Sequence, residues 1–559
     1  MQRTGTRFRA SKALPHYDAI VIGSGIGGLC CAALLAKAGQ KVCVLEQHYT
    51  AGGYTHTYER EGYEWDVGVH YIGEVHKPWS MIRRVFDVIS DSKLQWAEMD
   101  EHYDHVVIDG QPFRYLAGRD NFKTEIKKHF PDESAAIDQY VDLISEVSAK
   151  VPKFFAGQAL PRPLGILYNK LRPYFLPDYF FKTTREVLEG LTKNEKLIGV
   201  LTAQWGDYGL PPAQAAFMMH AMVAKHYITG GNYPVGGSIS IAKHIIPVIE
   251  AAGGHVFTYA GVEEILVKNN KAYGVRLAKD GHEIYANKII SNAGLWPTYA
   301  RLLNDKVQQQ HKLKNLLPKT KLSASHVCIY AGFKGDAKTL NIPKTNYWLY
   351  PDFNHDTNVQ SFMDSPGLDF PVVYISFPSA KDPEWNQRYP NKSTVEIVAP
   401  TFPQWFEKWK GSTWNKRGAD YEAFKAEITQ VLLEQLYKHH PQLRDALDFV
   451  ELSTPLSTEW FQWNMEGEIY GIDHSVERFK QHWLHSQTPI KNLYLTGADI
   501  VTAGVGGALM GGVLTASRIL GFKAGLIGKL IAGVYKPGKE KETQVEILDV
   551  EKTEQRKAS

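Results

Sequence analysis

The chain has 559 residues, 44% of them hydrophobic and 22% charged, and a net charge of +3. These are globular values; the length allows two large domains with their own cores, and the charge is too small to point to nucleic acid. Four cysteines (Cys30, Cys31, Cys43, Cys328) form no C-x-x-C pair, which leaves no disulfide relay and no metal set and fits a reducing compartment.

The start, 1–16, is basic and has no apolar core of the kind a secretory signal needs, so no such signal is expected. An apolar strand at 19–22 then runs into Gly23-Ser24-Gly25-Ile-Gly27-Gly28. A small-residue helix is predicted over 29–38, and a second apolar strand ends in Glu46-Gln47. Strand, G-x-G-x-x-G, helix, strand and acid together make a dinucleotide site. Gly23 allows the tight turn, and Gly25 lets the backbone approach a pyrophosphate. Gly28 lets helix and strand close up, with Ser24 in the same loop. Glu46 suits both hydroxyls of an adenosine ribose and repels a 2′-phosphate; Gln47 adjoins it. The residues that follow favour FAD over NAD. Instead of a short helix leading to a third parallel strand there is Ala51-Gly52-Gly53, then Asp66-Val-Gly68-Val-His70-Tyr71-Ile-Gly73. Such loops let the backbone pass close to a long cofactor.

Farther along, 150–182 carries six basic residues against one acid, with eight interleaved aromatics and five prolines. Basic heads beside aromatic rings suit a membrane interface. A helix is predicted over 238–252. Strands are predicted at 255–259, 262–268, 273–278 and 283–285, and a further one at 288–291 ends in Asn292-Ala293-Gly294. Val262 and Ala293 are expected against the cofactor. Near the C-terminus, Leu493-Tyr-Leu-Thr-Gly497-Ala-Asp499 reads as strand, glycine and acid, followed by Gly504-Val-Gly506-Gly507 entering a helix. Asp499 could hold the ribityl or pyrophosphate portion. The helix N-terminus could face the N1–C2=O edge of a flavin, where negative charge gathers on reduction. The uncharged run 500–517 has five glycines and three alanines, a weak bilayer segment, and is not expected to span. An amphipathic stretch, 522–535, could also face lipid, and a charged tail after Lys536 is expected to be disordered. The fold class is therefore α/β. A Rossmann-like FAD-binding domain is assembled from 17–75, 233–294 and 488–521, and an α+β substrate domain from 76–232 and 295–487, with 522–559 as a tail.

Four segments carry a family resemblance: Glu46-Gln-His with Ala51-Gly-Gly; Asp66 to Gly73; His226-Tyr-Ile-Thr-Gly-Gly-Asn-Tyr-Pro-Val-Gly-Gly237; and Tyr470-Gly-Ile-Asp-His474 with the run from Gln487 to Asp499. Across roughly 17–521 the chain resembles flavoproteins of the glutathione reductase/amine oxidase type that act on polyenes: phytoene desaturases, carotenoid isomerases and, most closely, retinol saturases. Vertebrate saturases look as if they begin with a hydrophobic leader and this chain does not, which points to an unsaturated lipid other than retinol. The resemblance implies hydrogen addition across a C=C bond, with hydride from reduced flavin N5. The proton would come from an acid beside an apolar tunnel. Candidates for that acid are His226 and Tyr227, His70 and Tyr71, then His474. Loss of the proton instead of hydride capture gives cis–trans isomerisation, so an isomerase or desaturase is the alternative. A prenyl-lipid binder without flavin is a second alternative. No second G-x-G-x-x-G unit is present, so NADPH or NADH would act as a transient donor, or electrons would come from another protein or a quinone. The expected setting is peripheral, on the cytoplasmic side of a membrane, with no metal and no nucleic acid.

Overall fold

The computed structural model describes residues 3–365 and 367–535. The tail expected to be disordered lies outside them from 536 onward. Two large sheets both contribute residues to the wall of one cavity. The first contains a run of parallel pairings in the order Thr6–Arg7, His255–Thr258, Val42–Leu45, His16–Ile22 and Glu283–Ser291, with Leu493–Leu495 paired to the last. The inner strands are apolar and buried, as in a parallel sheet covered by helices. Glu283–Ser291 is one nine-residue strand, where the sequence suggested two. Residues 283–285 pair antiparallel with Lys271–Leu277, and residues 289–291 pair with Leu493–Leu495. Asn287 and Lys288 do not interrupt it, because its other edge pairs with His16–Ile22 on both sides of Asn287, from Tyr285 to Ser291.

Helix Ile26–Lys37 buries eleven of its twelve residues. A helix apolar on every side must be covered on every side. This one packs against Ile239–Ala251 and Gly504–Leu520 as well as the sheet. Cys30, Cys31, Cys43 and Cys328 are buried thiols, as small packing residues should be. Met81–Ser90 packs on Ile239–Ala251 and on Gly525–Gly533.

The second sheet has seven strands, in the order Leu447–Ser453, Ser325–Lys334, Lys392–Thr401, Val373–Ser376, Asn346–Tyr350, His102–Ile108 and Gln111–Leu116. Ala419–His439 buries Ile428, Leu432 and Leu436 in its core. A hairpin, Thr57–Arg60 with Tyr63–Asp66, and a small sheet of Ile72–Gly73, Gly231–Pro234 and Trp96–Glu98 connect the two halves.

The stretch 150–182 exposes less than its composition implied. Phe154, Phe155 and Phe180 are core residues, and the buried Arg172 donates to the carbonyls of Phe154, Asn169 and Phe479. What remains outside is Leu164, Leu167 and Leu171 on one face of helix Arg162–Leu171, then Tyr174 and Phe175. Among the described residues one helical run, Gly504–Gly533, is long and apolar enough to cross a membrane. It is broken at Gly521, and its first part packs on Ile26–Lys37.

Candidate functional site

A cavity of about 740 Å³ begins at the ends of the first sheet's strands. Gly23 turns there with φ +88°. A side chain on Gly28 would place its Cβ 2.4 Å from the Gly23 carbonyl oxygen, and one on Gly53 would lie 2.8 Å from Gly25 Cα. These are backbone-to-backbone approaches that only glycine permits. Glu46 Oε2 accepts from the backbone N–H and hydroxyl of Ser24 (3.0 and 2.6 Å), and Oε1 accepts from His48 N (2.8 Å). The Ser24 hydroxyl also accepts from Gly52 N (2.9 Å). Gln47, Val262 and Ala293 line the same end; Gly28 and Gly52 do not line it but shape it from behind.

The C-terminal element closes this end from the other side. Asp499 accepts from Leu295 N (2.6 Å) with one oxygen and from Ile472 N (3.0 Å) with the other. It therefore holds two loops together as well as facing the cavity. Gly506 and Gly507 line the cavity in the first turn of Gly504–Leu520. Two helices thus point their N-termini into one cavity, and each favours negative charge there. An extended dinucleotide fits this cradle: a carboxylate at one end, two helix N-termini, and glycines where any Cβ would intrude.

Beyond that track the walls turn apolar, with Met219, Met222, Val223 and Phe155. Exposed Met81 and Pro152 also line it, so the cavity reaches the surface there. Four of the five residues considered as acids meet at this junction. Tyr71 and Tyr227 stack with centroids 4.0 Å apart at 11°. His226 Nε2 accepts from Gly73 N (2.8 Å), and burial pushes its pKa down to about 4. His70 Nδ1 lies 2.7 Å from Glu396 Oε2. Burial, with Lys381 adding to it, pushes His70 down to about 4, while burial raises Glu396 to about 8. Both shifts run toward the neutral form, so burial disfavours an ion pair across this contact. His474 is elsewhere. It does not line the cavity; its Nε2 accepts from Ala503 N and Arg478 Nη1, both at 2.8 Å. Burial drives its pKa far down, so it is a structural acceptor.

Sequence reasoning missed the charged residues behind this wall. Lys381 is buried and donates to the carbonyl of His70 (3.0 Å), to Ser376 Oγ (2.8 Å) and to Asn346 Oδ1. Asp104 accepts from Tyr71 (3.0 Å), Gln204 (2.9 Å) and Asn346 (3.0 Å). Arg478 donates to the carbonyls of Ile472, Asp473, Ala498 and Val501, tying the Asp499 loop down. One signal was available: Glu396 interrupts the apolar strand run Val395-Glu-Ile397, and a charge there must have a partner.

A family of NAD(P)-binding Rossmann-like domains matches residues 21–87. The chain is 38% identical to the all-trans-retinol 13,14-reductases of Danio rerio and Homo sapiens, over 92% of this chain and 87% of each of theirs. Prolycopene isomerase 1, chloroplastic, of an Oncidium hybrid cultivar is 26% identical over 90% of this chain and 84% of its own. Among solved structures, putrescine oxidase bound to putrescine gives a TM-score of 0.59 at 16% identity, over 90% of this chain and 99% of that one. That last likeness is of fold.

Proposed function

The chain belongs to the all-trans-retinol 13,14-reductase family, and from that premise we propose that it is an FAD-dependent oxidoreductase that saturates a C=C bond of a polyene or other unsaturated lipid. One observation carries the reading: a single cavity joins the Glu46 cradle to the Tyr71–Tyr227 stack and the methionine-lined wall. A nucleotide track and an apolar compartment that share one space suit a redox cofactor reacting with a hydrophobic chain. FAD bound along that track supplies hydride at N5. The residues of this chain do the rest. Gly23, Gly25, Ser24 and Glu46 hold the adenosine end, and Gly506 and Gly507 present a helix N-terminus to the flavin. The apolar wall excludes water around the double bond.

A polyene has no carbonyl to stabilise a carbanion, so protonation to an allylic cation followed by hydride capture is the easier order. Neutral His70 and His226 are weak acids; the proton is drawn from the hydrogen-bonded cluster around Tyr71. Only one strand–G-x-G-x-x-G–helix unit occurs among the described residues. Electrons then enter from a transient NADPH or NADH, or from another protein. The reading also has the protein resting on the cytoplasmic side of a membrane. Leu164, Leu167, Leu171, Tyr174 and Phe175 would dip into the lipid, with Lys153 and Lys170 exposed beside them.

The test is anaerobic. Photoreduced protein is offered all-trans-retinol, a cis-carotenoid and a polyunsaturated fatty acid together. A product two hydrogens heavier, formed as the flavin reoxidises, is the expected result. Unchanged mass with altered chromatographic retention would overturn saturation in favour of isomerisation, the chemistry named for the 26%-identical relative.

A further inference from the structure

Five carboxylates line the cavity, and four of them have a backbone N–H or an ammonium as partner. Glu46 takes Ser24 and His48; Asp499 takes Leu295 and Ile472; Glu468 takes Met465 N (3.1 Å) and Glu466 N (2.8 Å). Glu74 is paired with Lys77 (2.8 Å) and Lys225 (3.0 Å). Asp207 differs. It sits at the end of the short turn Trp205–Asp207, and among the described residues no cation and no backbone N–H pairs with its oxygens. Its one hydrogen-bond partner among the described residues is the Tyr71 hydroxyl, 3.4 Å from Oδ2.

That hydroxyl also lies 3.0 Å from Asp104 Oδ2. Tyr71 has one hydroxyl hydrogen, and the shorter contact claims it. Asp207 therefore faces a phenolic lone pair, which suits a carboxyl group that carries its own proton. An ionised carboxylate with no partner beside an apolar wall is too costly to persist; such a group takes up a proton instead. Burial and the neighbouring Asp104 both push its pKa well above the ordinary carboxylate value.

We propose that Asp207 is the proton donor to the double bond, with Tyr71 holding its carboxyl toward the cavity. The inference rests on the C=C saturation reading. The Asp207 O–H bond breaks, and its proton joins the π electron pair in a new C–H bond, leaving an allylic cation. The cation takes hydride from reduced flavin. Asp207, left as the carboxylate, is reprotonated from solvent between turnovers.

The experiment compares the flavin-loaded wild type with D207N and D207E. Bound-flavin absorbance, photoreduction and polyene binding should match the wild type in both. Reoxidation by polyene should slow at least ~100-fold in D207N, the scale of a lost general acid, and recover in part in D207E. In the wild type that rate falls as pH rises through the Asp207 titration; the limb disappears in D207N. An infrared carbonyl band of a protonated carboxyl, present at neutral pH, should vanish in D207N and shift in D207E. The band is read without turnover, so it decides the protonation state even if one variant folds poorly. Wild-type turnover with D207N within threefold of it overturns the assignment, as does the absence of a band that moves in D207E. A wild type that saturates no polyene defeats the saturation reading instead.

Discussion

Consider Gly28→Ala. The new methyl carbon would lie 2.4 Å from the Gly23 carbonyl oxygen, with Asn292 Cβ at 3.1 Å close by. Normal contact begins near 3.4 Å, so the helix start must move about 1 Å from the strand end. Asn292 leaves it no side to turn toward. Overpacking of this kind costs about 1–3 kcal/mol. The movement also withdraws the helix N-terminus from the cofactor. Two weakened charge-assisted hydrogen bonds, at about 1.5–3 kcal/mol each, would raise the Kd for FAD at least about 100-fold. The variant should purify nearly colourless, melt below the wild type and fail to regain a flavin spectrum at micromolar FAD. Gly528→Ala is the control. It sits in helix Gly525–Gly533 with nothing within 4 Å of its added Cβ, and should gain up to about 1 kcal/mol. Full flavin occupancy and an unchanged melting temperature in Gly28→Ala would refute the close-approach argument.

Other outcomes follow from the same geometry. His220 lies between Tyr140 (2.9 Å) and Tyr208 (3.1 Å), and burial pushes its pKa down to about 3. Its unfolded form binds a proton below about pH 6.5 and its folded form does not, so the stability it contributes is present above that pH and lost as pH falls. His220→Phe should reduce the pH 7 to pH 5 stability loss by about 2 kcal/mol, read by urea melts; an unchanged difference would refute it. Arg478→Lys keeps the charge, but one ammonium cannot reach carbonyls on both loops. It should lose at least about 2 kcal/mol and shed flavin on gel filtration, whereas tight flavin retention would count against the clamp. The wild type should float with anionic liposomes. The triple change Leu164→Asp, Leu167→Asp and Leu171→Asp should keep the protein in the soluble fraction, and equal flotation would rule out that face.

The nucleotide half was readable because its physics is local. Gly23, Gly25, Gly28 and Glu46 fall within two dozen residues, and each answers a backbone or charge requirement at its own position. The Asp499 element was readable for the same reason, although its carboxylate is spent largely on Leu295 and Ile472. The proton-handling wall was legible only in part. His70, Tyr71, His226 and Tyr227 adjoin recognisable glycine motifs, but Asp104, Asp207 and the pair Lys381 and Glu396 come from three distant stretches and meet only through the fold. His474 shows the limit from the other side: a motif position alone does not say which way an imidazole faces, and here it faces Arg478 and Ala503. The strand Glu283–Ser291 was split for a similar reason, because the neighbour that carries it past Asn287 and Lys288 is His16–Ile22.

The glycine seam between Ile26–Lys37 and Gly504–Leu520 has a consequence for synthesis. Gly512 approaches the Gly27 carbonyl so closely that a Cβ there would lie 2.6 Å from it; Ile239–Ala251 covers one side of the first helix earlier, but this side is covered only when the last helix has been made. Those helices end 483 residues apart. At ~5–20 residues per second, the ribosome takes roughly 25–100 s to supply the second after the first. Throughout that interval one side of a helix with eleven buried residues stays uncovered. The nascent chain should therefore depend on a chaperone that shields its N-terminal portion, and flavin capture should be a post-translational event.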